Sequence, residues 1–120
     1  MIQRETKLLV ADNSGAKLVK CIKVFKNFYG FAGFLIIVSI KKSLLKKRIR
    51  KGMICKAVII RTKSISKRLG GYNVQFNKNF VVILKKNENV PLGTRVFGSV
   101  SFLLREFGYL KIISLATTVV

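Results

Sequence analysis

Lys46, Lys47, Arg48, Arg50 and Lys51 fall within six residues, and Arg61, Lys63, Lys67 and Arg68 within eight. Ammonium and guanidinium groups at that density do one kind of chemistry well: they neutralise and hydrogen-bond phosphate oxygens. Between the clusters, residues 56–63 read Lys-Ala-Val-Ile-Ile-Arg-Thr-Lys, an apolar, β-branched run with cations at both ends. A buried strand there carries a basic loop at each end, which suits holding phosphates in a defined geometry. Asn13 and Ser14, in the turn sequence Asp12-Asn13-Ser14-Gly15, add short polar side chains able to meet a sugar hydroxyl or a base edge.

Proton-transfer and metal chemistry have little to work with. The chain has no histidine, and its four carboxylates, Glu5, Asp12, Glu88 and Glu106, lie in separate segments. Cys21 and Cys55 stand singly in apolar runs without a Cys-x-x-Cys pair, so they read as core thiols. No phosphate-loop, dinucleotide or nucleophile-elbow pattern occurs. The expectation is a protein that is not an enzyme and carries no cofactor or metal.

Twenty-four lysines and arginines against four acids give a formal charge of +20, which repels itself unless a polyanion neutralises it. Nucleic acid is the expected polyanion, with a free-standing cationic binder or a membrane-surface protein as rivals. Half of the residues are hydrophobic and mean hydropathy is +0.36, so a core is expected, in a single domain over residues 1–120. The longest apolar stretch, residues 31–40, is about half a spanning helix and contains Gly33 and Ser39, so no membrane span is expected. The start carries Arg4 and Glu5 and runs straight into strand-like sequence, so no signal or transit peptide is expected.

Stepping along the chain, strand signals fall at residues 8–11, 16–25, 35–40, 54–62, 72–76 and 80–84, separated by polar and glycine turns. Five or six such strands suggest a small closed barrel. The continuous apolar run 35–40 reads as covered on both faces. In the loop 26–33, Phe28, Tyr29 and Phe31 read as closing one end of the barrel, with base stacking as the alternative. The character changes after residue 86, dividing a barrel over roughly 1–86 from an extension over roughly 87–120. In the extension, Ser99 or Ser101 is expected to cap a short helix over 102–106 that stops near Gly108. Residues 109–115 read as a last apolar strand, with Lys111 its only charge.

Several motifs together resemble one family. Met1-Ile2-Gln3, Val10-Ala11-Asp12-Asn13-Ser14-Gly15-Ala16, Cys21-Ile22-Lys23-Val24, the run from Lys56 to Lys63, Gly93-Thr94-Arg95-Val96-Phe97-Gly98 and Lys111-Ile112-Ile113-Ser114-Leu115-Ala116 fall in the order found in large-subunit ribosomal protein fourteen of the bacterial type. The resemblance implies a mainly β fold: a five-stranded barrel with a C-terminal extension of short helices and strands, bound to large-subunit ribosomal RNA. It implies a place where the subunits join, beside neighbouring large-subunit proteins and touching small-subunit ribosomal RNA as an intersubunit bridge. It also implies docking of a ribosome silencing factor, through positions matching Thr94, Arg95 and Lys111.

The chain departs from that family where acids are usual. Gly33-Phe34 stands for Gly-Asp, Lys51-Gly52-Met53 for Lys-Gly-Asp, and Lys42 occupies a usually acidic position. Lost acids raise the net charge, and the gained Phe34 and Met53 read as contacts with protein. Phe, Ile, Lys, Asn and Tyr, residues of AT-rich codons, make up about two fifths of the chain. With a start that aligns to the bacterial start, this suggests an organelle-encoded protein of the mitochondrial ribosome, with plastid or bacterial cytoplasm as alternatives.

Overall fold

The computed structural model describes residues 2–25, 27–44 and 49–120. In chain order the elements are β1 (Lys7–Val10), β2 (Ala16–Val24), β3 (Leu35–Ser43), β4 (Ile54–Arg61), β5 (Ser66–Lys67), β6 (Asn73–Val74), β7 (Phe80–Ile83), β8 (Ser99–Val100), α1 (Leu103–Glu106), α2 (Leu110–Leu115) and β9 (Thr118–Val119). Among the described residues, β1, β2, β3, β4 and β7 close into a five-stranded barrel in that order. Neighbours run antiparallel except at the closing seam, where β7 lies parallel to β1. The fold is therefore mainly β, a small barrel followed by a short helical and strand extension, as the sequence suggests.

Period-two alternation decides what fills the barrel. Val19 and Cys21 on β2, Ile36, Val38 and Ile40 on β3, Ala57 and Ile59 on β4, and Val81 and Ile83 on β7 form one buried cluster inside it. Val58, Ile60, Val82 and Leu84 point the other way, into a second cluster with Ala11, Val96, Val100, Leu104, Tyr109 and Ile112. Strands β4 and β7 are thus apolar on both faces because the extension packs over their outer wall. Each fully buried Val or Ile contributes roughly 1.5–3 kcal/mol, so the outer cluster holds the extension against the barrel by apolar burial.

Four expectations are corrected. Residues 35–40 are fully buried on one face and only partly covered on the other, since half-buried Leu35, Ile37 and Ser39 alternate with the buried Ile36, Val38 and Ile40, and Leu35 packs against the outer cluster. The span 72–76 is no barrel strand: only Asn73 and Val74 are extended, in a two-stranded ribbon with β5. Within 109–115, Leu110–Leu115 form helix α2 instead of a strand, so Lys111 lies on a helix. Tyr109, Ile112, Ile113 and Ala116, which are buried or packed there, follow helical i, i+3, i+4, i+7 spacing, and Leu115 packs beside them. Phe28, Tyr29 and Phe31 are exposed and do not close the barrel; Ile2 does, through paired backbone hydrogen bonds with Gly30.

The helix ends differ in detail from expectation. Phe102 occupies the N-cap of α1 without a side-chain cap, although Ser101 Oγ takes a long 3.4 Å bond from the Leu103 N–H. Ser99 instead pairs with Thr118 across the parallel β8–β9 ladder.

Candidate nucleic-acid interface

Strand β4 runs between two ends of the barrel. At the near end lie its first residue, the end of β3 and the 12–15 turn, joined by the Leu44 N–H to Gly15 C=O bond of 2.7 Å. At the far end lie its last residue, the end of β2 and the start of β3, where the Gly33 N–H meets Ile59 C=O at 2.7 Å.

The near-end turn is a clamp. Asp12 is buried: Oδ1 accepts from Ser14 N–H (3.1 Å) and Ser14 Oγ–H (2.5 Å), and Oδ2 from Ile83 N–H (3.1 Å). Burial pushes its carboxyl pKa above the ordinary value, outweighing those three hydrogen bonds, which pull it down. Asn13 grips the extension: Nδ2 donates to Thr94 Oγ1 (2.8 Å), and Oδ1 accepts from Thr94 N–H (2.8 Å) and Arg95 N–H (3.1 Å). Gly93 must be glycine for this approach, since a Cβ would lie 2.5 Å from Asn13 Oδ1. Thr94 and Arg95 are left exposed on a fixed backbone. Sequence reasoning placed Asn13 beside RNA and Thr94 and Arg95 beside a protein partner; the fold brings all three together.

Two of the expected phosphate partners face inward. Arg61 lies half-buried over the Phe80 ring, 4.1 Å from its centroid, and its Nη2 donates to Phe97 C=O at 2.5 Å. Arg68 lies over the Phe102 ring at 4.6 Å, and its Nη2 donates to Ser101 Oγ (3.1 Å) and Val120 C=O (3.2 Å). Both guanidiniums fasten the extension to the barrel, Arg61 at β4 and Arg68 at the ribbon. Their Nε atoms are buried with no hydrogen-bond partner among the described residues, and burial lowers the Arg61 pKa. A basic residue ending an apolar strand reads equally as a phosphate ligand or as such a brace, so nothing in the sequence separates the two roles.

The other described members of the expected phosphate-binding set are exposed and fall in two groups. Arg50 and Lys51 lie at the near end; Lys63 and Lys67 lie at the far end. Lys46, Lys47 and Arg48 lie outside the described residues. The Lys63 backbone is held by Asn79 Oδ1 on its N–H (2.7 Å) and Gln75 Nε2 on its carbonyl (3.0 Å), so its side chain leaves from a fixed point. Lys111 is exposed on α2, apart in sequence and element from Thr94 and Arg95.

Cys21 and Cys55 are free thiols flanking Val38 from opposite sides of β3. Two strand spacings, about 9–10 Å, separate them, beyond disulfide reach. Burial raises both thiol pKa values, which keeps them protonated and unreactive. Among the described residues no group of three His, Cys, Asp or Glu could hold a metal ion, and no helix is long and apolar enough to cross a membrane.

A small barrel whose own hydrogen bonds stiffen its loops, with exposed cations at both ends, is built to bind a polyanion by position and charge. That is the design of a structural nucleic-acid-binding protein. The family model for Ribosomal protein L14p/L23e matches residues 1–120, and the chain belongs to that family. It is a structural constituent of the large ribosomal subunit that binds ribosomal RNA, and the family is not one of enzymes.

Proposed function

We propose that the chain, one domain over residues 1–120, neutralises phosphates on two separate stretches of large-subunit ribosomal RNA, one at each end of the barrel. The observation that carries this is the placement of the exposed cations about β4: eight strand residues at about 3.3 Å each hold the two basic loops roughly 25 Å apart. Arg50 and Lys51 serve the near end, and Lys46, Lys47 and Arg48, which precede them in sequence, are further phosphate partners. Lys63 and Lys67 serve the far end. Asn13, Ser14, Arg61 and Arg68 act on RNA through the loops they brace.

The exposed Thr94–Arg95 edge, held by Asn13, supports a second role as part of an intersubunit bridge to small-subunit ribosomal RNA and as a landing site for a silencing factor, with Lys111 contributing from α2. Arg95→Glu is expected to leave assembly into subunits intact and abolish factor binding; loss of assembly would make Arg95 an RNA anchor instead. Met53 and Ile54 are exposed beside an apolar cleft of about 570 Å³ that also takes in Ile37, Ile49 and Leu92, which supports contact there with a neighbouring large-subunit protein. The AT-rich residue usage favours the mitochondrial ribosome over a plastid or bacterial one.

Ultraviolet crosslinking of the tagged protein in its own extract, with sequencing of the attached RNA, tests the proposal. Two compact sites on one large-subunit ribosomal RNA are expected, and the RNA sequence names the compartment. Crosslinks scattered over many transcripts would sink the reading.

A further inference from the structure

Phe34 is half-buried at the far end and stands edge-on to two other rings, Phe31 and Phe107, each with centroids 5.8 Å away. Phe34, Phe107, Phe25, Tyr109, Gly33 and Asn27 line a cleft of about 300 Å³ between the barrel and the extension. Phe107 is 52% exposed, a large apolar ring held open to solvent. Gly33 makes the geometry possible: its φ of +92° lies in the left-handed region, and a Cβ there would run into the Phe107 ring. The Lys23 ammonium sits 5.5 Å from the centroid of Phe25, placing a cation beside one wall.

We propose that this cleft receives an unpaired nucleobase of the ribosomal RNA, an inference that rests on the chain's RNA-binding role. Every base offers a π-face to an aromatic wall, and the exposed Asn27 amide offers both a donor and an acceptor to a base edge. Lys23 meets the flanking phosphate. Among the described residues lining the cleft there is no carboxylate, and the cleft shares its end of the barrel with Lys63 and Lys67, so its surroundings attract a polyanion. The sequence alone suggested a protein neighbour for Phe34; the cation and the company of the basic loops favour a base.

Photoreactive benzoylphenylalanine in place of Phe107, in the full-length chain within assembled large subunits, gives the direct test. Attachment to one unpaired ribosomal RNA nucleotide is the expected result; attachment to a protein, to base-paired stems only, or to nothing overturns the proposal. Independently, Phe107→Ala is expected to weaken binding to deproteinised large-subunit ribosomal RNA about tenfold, with Phe107→Tyr restoring it. Equal affinity for Phe107→Ala and the parent chain would remove the base from the cleft while leaving RNA binding in place. Failure of the parent chain to bind that RNA at all would remove the reading beneath it.

Discussion

Asp12 and Asn13 show how much a short polar turn does when its side chains face inward. Each Asp12 oxygen is an acceptor facing a donor, and Asp12→Asn would aim an amide N–H at the Ile83 N–H. The expected cost is about 1–3 kcal/mol, measured as a shift in the denaturant midpoint without change of slope. Because burial raises the folded pKa of Asp12 above its unfolded value, the native state binds this proton more readily. The stabilisation this gives is full below the unfolded value and is lost as pH rises through the folded one, and Asp12→Asn should flatten that part of the pH–stability curve. Asn13→Ala removes three hydrogen bonds to the 94–95 backbone and side chain, and should cost roughly 1–2 kcal/mol. Hydrogen exchange at the Thr94 and Arg95 amides is the check, since both should lose protection.

At the scale of elements, the extension is held by the apolar outer face of β4 and β7 and by two arginine braces. Arg61→Ala loses a charged hydrogen bond to Phe97 and a cation–π contact with Phe80, about 2 kcal/mol together. Limited proteolysis should then cut first within the extension; unchanged cutting would mean the apolar cluster alone holds it. Gly33→Ala should cost about 1–2 kcal/mol from its left-handed φ alone and should also displace Phe107, visible as altered ring resonances at the far end. Legibility varied by element for physical reasons. Strands β4 and β7 were clear because their apolar runs are bounded by turn residues. Helix α2 was not, because its exposed Leu110 adds an apolar residue off the packed face and blurs the helical stripe. The expected strand 72–76 overruns β6, and β5 has no counterpart among the expected strands, because a two-residue ladder leaves almost no periodic signal.

Over the whole molecule, a charge of +20 makes RNA binding steeply salt-dependent. Neutralising on the order of 6–10 phosphates should cost about 10³–10⁵ in affinity between 50 and 200 mM salt. Replacing Arg50 and Lys51 together by Gln should lower the magnitude of the slope of log K against log salt by about 1.5, with the far-end contacts surviving. A slope that stays unchanged would show that the near end touches something other than phosphate.

Composition and pattern by themselves determined that this chain is a cationic β-barrel without histidine, because charge balance, composition and strand periodicity are properties of the string. The motifs carried the ribosomal family for the same reason. Tertiary structure decided which polar residues face outward. Arg61 and Arg68 became braces and Asn13 a clamp only because residues 36, 33 and 81 positions away in sequence lie within hydrogen-bond reach in space. No local pattern records such a long-range closure. The aromatic cleft is likewise a product of packing, since Phe34 and Phe107 meet only when the extension folds back over the barrel's far end.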